Sequence, residues 1–307
     1  MIYKNVAIIG ANGFIGKHLS DKLSRIPEIN VFLFGRGTSG PAGHEKRYAQ
    51  LDLSKQDDIA GHFSEIELVY YLASETIPST SWDNAAIEIE KNLLPFIGFV
   101  SQAVKFSLKK IVFISSAGTI YGPSLEKVTE DSYTNPFSPY GINKLTMEHY
   151  LNYFRVKNGL QYDIFRVSNI YGEGQNTKKG IGIINTFLEN ILAHNKIEIF
   201  GDGAHVRNYI YIHDLISMIT QSLYSEPSLS NTFNASSNDT LSINELVTVI
   251  KEVVAEEFEI IYLEKRQSDN SAIYLDNTKI TGAYPTLKMT PIATGILKTY
   301  LHIRAQD

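Results

Sequence analysis

The sequence predicts an α/β fold: a doubly wound parallel sheet joined to a smaller C-terminal α/β part. Three observations carry this. First, the apolar run Val6-Ala7-Ile8-Ile9 enters Gly10-Ala11-Asn12-Gly13-Phe14-Ile15-Gly16, and an amphipathic stretch with Leu19, Leu23 and Ile26 on its inner side follows. That is the order strand, tight turn, helix. Second, short apolar runs alternate with helical patterns as far as Val167, which implies β-α-β units. Third, from Ser168 the chain becomes polar and glycine-rich, with only short elements. The expected division is 1–167 with about 208–233 as one part, and 168–207 with 234–307 as the other.

The glycine turn is an anion cradle in waiting. Bare backbone lets a pyrophosphate approach, while unpaired N–H groups and the positive end of the helix hold it. Its spacing, G-x-x-G-x-x-G, is one residue off the commonest dinucleotide fingerprint, so its place after the first strand carries the reading. Val31 to Gly35 is a second parallel strand. At the tip of that strand an acid suits the 2′-hydroxyl of NAD, and an arginine the 2′-phosphate of NADP. The chain has Gly35-Arg36-Gly37 and no acid there, which tilts the expectation toward NADP.

Gly37 to Gly43 is a loop by composition. Tyr48 to Leu53 looks like a short strand, and Leu68 to Ala73 a buried one with a loop, Ser74 to Trp82, at its carboxyl end. A helix is expected from about Asn84 to Phe106 with Asn92 at its middle. Lys110 to Ile114 is another buried strand, feeding Ser115-Ser116-Ala117-Gly118-Thr119-Ile120-Tyr121-Gly122. Pro136 to Pro139 breaks the chain before a long helix from Tyr140 to about Lys157, and Gln161 to Val167 is one more strand. In the last part, Ile183 to Ala193 and Asn244 to Glu256 read as helices, and Lys196 to Phe200 and Tyr209 to Ile212 as strands. His213-Asp214 is expected to cap a helix from Leu215 to Leu223.

Composition excludes several classes. With 43% hydrophobic and 20% charged residues the chain is an ordinary globular one, and a net charge of −5 without a dense Lys/Arg run gives no support for nucleic-acid or membrane-surface binding. No apolar run is long enough for a bilayer, and a first strand near Asn5 leaves no room for a signal peptide. The absence of cysteine excludes disulfides, thiolate zinc sites and cysteine nucleophiles. None of the eight histidines pair at a spacing of three or four, so no metal is expected. A cytoplasmic enzyme fits best.

Tyr140 and Lys144 lie at i and i+4, on one side of their helix. A neighbouring ammonium stabilises phenolate and is expected to lower the tyrosine pKa toward general acid–base work. The same Y-x-x-x-K spacing recurs at Tyr153/Lys157 and Tyr284/Lys288, and among 18 tyrosines chance matches are expected. Only Tyr140 follows a hydroxyl-rich strand end and opens its helix after a proline break. It is therefore the catalytic candidate.

With these motifs, and with Tyr70-Tyr71-Leu72-Ala73, Arg166-Val-Ser-Asn169-Ile-Tyr-Gly172, Phe200-Gly-Asp-Gly203, Arg207 to Asp214 and Arg266-Gln-Ser-Asp269, the chain resembles the extended short-chain dehydrogenase/reductases. It is most similar to the UDP-glucose 4-epimerase-like enzymes. The resemblance, from Val6 to about Ile280, implies a Rossmann-type domain and a nucleotide-sugar-binding domain. It implies that Tyr140 moves the proton of a sugar hydroxyl, that Lys144 holds the nicotinamide ribose, and that Thr119 or Ser116 bonds the reacting oxygen, since the usual hydroxyl position holds Ala117. For NAD or NADP it implies Gly10, Asn12, Gly13, Phe14, Ile15, Gly16, Arg36, Asp52, Leu53, Leu72, Ala73, Ser74, Asn92 and Ser115, besides Tyr140 and Lys144. For a nucleotide diphosphate sugar, UDP-linked by this resemblance, it implies Thr76, Thr119, Asn169, Phe200, Arg207, Arg266 and Asp269.

Related dehydratases and decarboxylases carry an acid in the segment matching Gly118 and Thr119, and this chain has none between Ile114 and Leu125. Two reactions remain: 4-epimerisation through a 4-keto intermediate with bound cofactor, which is the main expectation, and NADPH-dependent reduction of a 4-keto nucleotide sugar. A third reading, a non-catalytic dinucleotide-binding regulator, conflicts with the intact Tyr/Lys pair. Members of this family are often homodimers through their two long helices, here Asn84–Phe106 and Tyr140–Lys157.

Overall fold

The computed structural model describes residues 3–306 except 56, 83, 125, 178–179, 227 and 265–272. In chain order the first half holds β1 (Asn5–Ile9), α1 (Phe14–Leu23), β2 (Asn30–Gly35), β3 (Tyr48–Gln50), α2 (Asp57–His62), β4 (Leu68–Tyr71), α3 (Ala85–Glu88), α4 (Leu94–Ala103), β5 (Lys110–Ser116), α5 (Ala117–Ile120), β6 (Lys127–Val128) and α6 (Pro139–Asn158). There follow β7 (Gln161–Val167), β8 (Asn169–Tyr171), α7 (Ile183–His194), β9 (Lys196–Phe200), β10 (Val206–Tyr211), α8 (Ile212–Thr220) and β11 (Asn231–Ala235). The chain ends with β12 (Thr240–Ser242), α9 (Ile243–Val253), β13 (Glu259–Leu263), β14 (Tyr274–Leu275), α10 (Thr278–Ala283) and α11 (Ile292–Arg304).

Two compact units result: Met1–Ile120, Pro136–Arg166 and Ile216–Phe233 form the first, and Tyr121–Asn135, Val167–Leu215 and Asn234–Asp307 the second. Residues 208–215, expected with the first, lie in the second because β10 pairs with β8 and β12.

The first unit is built on a seven-stranded sheet in the order β11-β7-β5-β4-β1-β2-β3. β1 pairs in parallel with β2 on one side and β4 on the other, so the winding direction reverses beside β1. The crevice beyond the strand ends at such a point is where open α/β sheets bind ligands. All four residues of β4 are buried, as a strand covered on both faces requires. On one face Ile9, Phe34, Val69, Tyr71 and Phe113 pack with Phe63, Phe96, Phe99, Met147 and Leu151 from the helical side. In α1, Leu19 and Leu23 are buried, while Ile26 lies beyond its end.

The structure departs from the sequence expectation at three places. The helix expected from Asn84 to Phe106 is interrupted: Ile89–Leu93 forms a π turn between α3 and α4. α3 is capped by Asn84, whose Oδ1 accepts from Ile87 N at 3.2 Å. β3 stops at Gln50, because Asp52 turns the chain by accepting from Ser54 N (3.0 Å) and Ser54 Oγ (2.7 Å). α8 begins at Ile212, so Asp214 sits in its first turn and instead accepts from Thr290 N (2.7 Å) and Oγ1 (2.8 Å).

In the second unit β12, β10 and β8 form a three-stranded sheet, and β13–β9 and β14–β6 are parallel pairs. α9 opens on a capping box: Ser242 Oγ accepts from Glu245 N at 3.2 Å, and Glu245 Oε2 accepts from Ser242 N at 2.7 Å.

Candidate active site

At the carboxyl end of β1 the glycine turn is compressed between strands. Gly10 has φ 91°, and its N–H donates to Phe34 O at 2.8 Å. A Cβ on Gly10 would stand 2.9 Å from Ala73 N, and one on Gly16 would stand 2.2 Å from Gly10 O. Glycine is therefore required at both positions by backbone contact and, at Gly10, by a left-handed conformation. Gly13 caps α1 without a side chain, which leaves the first N–H groups of the helix, from Phe14, Ile15 and Gly16, to an outside acceptor. No acidic residue lies in that first turn to oppose an anion. The cradle fits a dinucleotide pyrophosphate.

The other residues expected at the cofactor are distributed around this turn. Asn12 Nδ2 donates to Ser39 O (3.0 Å) and approaches Tyr48 Oη (3.3 Å), tying the glycine turn to the loop after β2. Leu72 and Ala73 follow β4 directly behind Gly10. Arg36 is exposed and pairs with Glu75 Oε2 at 2.5 Å. Asp52 is held below the usual carboxylate range by its bonds from Ser54, and Leu53 packs on the core. Asn92 has its polar atoms engaged: Oδ1 accepts from Glu75 N at 2.8 Å, and Nδ2 donates to Thr76 Oγ1 at 2.9 Å and to Glu88 Oε2 at 3.1 Å. With Ser74 Oγ donating to Thr76 O at 3.0 Å, Asn92 fixes the loop after β4.

α6 starts where the sequence breaks. Ser138 Oγ accepts from Gly141 N at 3.1 Å, and Pro139 occupies the first turn, where a missing N–H costs nothing. Gly141 permits a close approach, since a Cβ there would meet Thr119 O at 2.3 Å. α6 is thus packed on α5 through the Gly141 and Thr119 main chains. Lys144, one turn on, is buried at 8% exposure. Its Nζ donates to Ile114 O at 3.0 Å and lies 4.9 Å from the Phe113 ring centroid and 5.6 Å from that of Tyr140. Thr119 Oγ1 reaches Ser116 O only at 3.5 Å, so it is loosely held, and Ser115 Oγ is buried with no partner among the described residues.

Electrostatics corrects one expectation. The Tyr140 phenol is raised, not lowered: burial dominates and the Glu88 carboxylate adds to it. Burial also drives the Lys144 ammonium down to about 8, against the opposing charges of Glu88 and Glu148. Removal from water is the dominant influence on both groups. Activity that depends on the Lys144 charge should therefore fall on the alkaline side with a midpoint near pH 8; a rate that stays flat from about pH 7 to 10 would exclude that dependence.

Sequence reasoning missed Glu88 and Asn143. Both are buried and line one small cavity with Ala73, Ser74, Asn92, Tyr140, Lys144 and Met147. The spacing of Glu88 four residues before Asn92 was the available signal.

In the second unit, Asn169 lies on β8 and donates from Nδ2 to Asn208 O at 2.9 Å, Phe200 ends β9, and Arg207 lies on β10 with Nη1 donating to Val206 O at 2.9 Å. Arg266 and Asp269 lie outside the described residues. Among the described residues no cluster of three or more His, Asp or Glu could hold a metal, and no helix is long and apolar enough to cross a membrane.

Residues 6–235 match the family model described as NAD dependent epimerase/dehydratase family. The chain is similar to a putative UDP-glucose 4-epimerase of Methanocaldococcus jannaschii, at 31% identity over 89% of this chain and 90% of that one. It is also similar to a dTDP-4-dehydro-6-deoxyglucose reductase of Escherichia coli, at 29% identity over 88% of this chain and 88% of the other. Among solved structures, the UDP-glucose 4-epimerase of Thermus thermophilus in complex with NAD superposes with a TM-score of 0.88 at 25% identity, covering 99% of this chain and 100% of that one.

Proposed function

Because the chain belongs to the NAD dependent epimerase/dehydratase family, we propose that it is a UDP-hexose 4-epimerase that keeps its nicotinamide cofactor bound through the cycle. The observation that supports the reading is Lys144 Nζ 5.6 Å from the Tyr140 ring centroid, on a helix packed through Gly141 against the Thr119 main chain, in the same unit as the glycine cradle. The names of the full-length relatives support the reaction and the UDP-sugar, and the family description supports NAD. Arg36 offers less for NADP than the sequence suggests, since Glu75 already neutralises it.

In this reading the backbone N–H groups of Phe14, Ile15 and Gly16 hold the pyrophosphate, and Lys144 holds the nicotinamide ribose. Bound NAD supplies a reversible two-electron acceptor. Tyr140 takes the proton of the sugar 4-hydroxyl and returns it after the 4-keto sugar has turned, and Thr119 donates to the reacting oxygen. The charge of Lys144 favours the phenolate. Asn169, Phe200, Arg207, Arg266 and Asp269 serve the nucleotide diphosphate, for which the planar forks of the arginines suit phosphate oxygens.

The relative that reduces a 4-keto sugar keeps one second reading open: an NADPH-dependent 4-ketosugar reductase. The two separate cleanly. Purified protein incubated with UDP-glucose, UDP-galactose and their N-acetyl forms without added cofactor interconverts one pair if it is an epimerase. No interconversion, with NADPH consumed by a 4-keto nucleotide sugar, overturns the proposal.

We further propose a homodimer acting in the cytoplasm. Ile142, Tyr153 and Val156, the last 74% exposed, share one face of α6, and Leu94 is exposed on α4. Val156→Glu with Leu94→Glu should shift the sedimentation coefficient from dimer to monomer; a wild-type monomer at micromolar concentration would refute the assembly.

A further inference from the structure

We propose that Glu88 is a positioning residue of the Tyr140–Lys144 pair: its buried carboxylate is the counter-charge that keeps Lys144 an ammonium. The inference rests on the tyrosine–lysine reading of the site, not on the identity of the sugar.

Glu88 ends α3 at 2% exposure, immediately before the π turn. One oxygen, Oε2, accepts from Asn92 Nδ2 at 3.1 Å. The other, Oε1, is buried with no hydrogen-bond partner among the described residues. Glu88 lines the small cavity that Tyr140, Asn143 and Lys144 line from α6. A carboxylate oxygen without a donor is costly in such a place unless a cation offsets it. Lys144 is the cation that lines the same space.

Every charged neighbour bears on the balance. From α6, Glu148 also favours the Lys144 cation, but Arg166 of β7 already binds it, with Nη2 to Oε2 at 2.7 Å. On the loop after β4, Glu75 is paired with Arg36 at 2.5 Å. Tyr140 is neutral. Among the described residues Glu88 is thus the carboxylate lining this cavity that has no ion pair at contact distance, and its charge raises both the Lys144 ammonium and the Tyr140 phenol. By the same electrostatics Glu88 restrains phenolate formation while it protects the ammonium. Asn92, by donating to Glu88 and to Thr76, couples the position of that carboxylate to the loop after β4.

Stability as a function of pH tests the pairing without any substrate. A lysine whose folded pKa lies below its unfolded value makes the charged form costly to the fold. That cost is full below the folded pKa and vanishes as pH rises past the unfolded one, about 10.4. Removing the Glu88 charge lowers the folded pKa of Lys144 further and deepens the cost. Glu88→Gln should therefore melt below the wild type at about pH 7, with a gap about 3 °C wider than at about pH 10 for one pKa unit. In a Lys144→Met background the same change should give a gap independent of pH, and Glu88→Asp, which keeps the charge, should track the wild type. A merely structural role predicts a constant gap. A constant gap, or a pH dependence that survives Lys144→Met, overturns the inference. If the stability result holds while no UDP-sugar is converted, the proposed reaction fails and the charge pairing stands.

Discussion

Tyr140→Phe should lower the turnover of UDP-glucose to UDP-galactose by about a thousand-fold, within the range that a positioned general acid–base contributes. The loss should fall on kcat with KM little changed, because the phenol makes its distinctive interaction as the proton moves, not when the sugar binds. The variant should fold normally. The main-chain packing that sets this site, Gly141 against Thr119 O and the Ser138 cap, does not involve the phenol oxygen. Cofactor retention, read from the absorbance of the purified protein, should also persist. A variant that keeps its full rate would remove Tyr140 from the chemistry and favour a dinucleotide-binding regulator on the same scaffold.

Lys110→Met should destabilise the protein by about 3–5 kcal/mol, the usual cost of leaving one partner of a buried ion pair alone. Lys110 opens β5 and its Nζ lies 2.8 Å from Asp163 Oδ2 on β7, with both side chains fully buried. The pair is also bonded to its surroundings: Nζ donates to Ser225 Oγ at 2.7 Å, and Asn231 Nδ2 donates to Asp163 Oδ1 at 3.2 Å. Its field reaches Tyr3, whose phenol is pushed up to about 12 by burial and then by Asp163. The double change Lys110→Met/Asp163→Leu should recover much of the loss, because two apolar groups leave no buried charge unpaired. Denaturant unfolding of the three variants measures this; a double variant less stable than Lys110→Met would mean that the pair itself, not its breakage, supplies the stability.

The two predictions differ in how far the chain alone could have led to them. Tyr140 was legible because local rules converge on it: a proline break, a helix start and a hydroxyl-rich strand end upstream. The glycine turn was legible for the same reason, since Gly10 and Gly16 answer to backbone contacts within a few residues or with the adjacent strand. Lys110 and Asp163 were not, as partner identity across a sheet depends on strand order. Glu75 pairing with Arg36, and Glu88 sharing a cavity with Lys144, were hidden likewise. The direction of the Tyr140 shift was misjudged because spacing reveals a neighbouring charge but not how much water burial removes.

The π turn at Ile89–Leu93 bears on how residues are matched between proteins. A π turn accommodates an additional residue without lengthening the loops on either side. The rotational phase of α3 is therefore offset from that of α4, so a single wheel drawn through residues 85–103 assigns the faces of one half wrongly. An alignment that places its gap in the loop before α3 would transfer Glu88 onto a partner one step out of register. Here a difference in chain length would be stored inside a helix, and the correct numbering shifts by one residue at the turn itself.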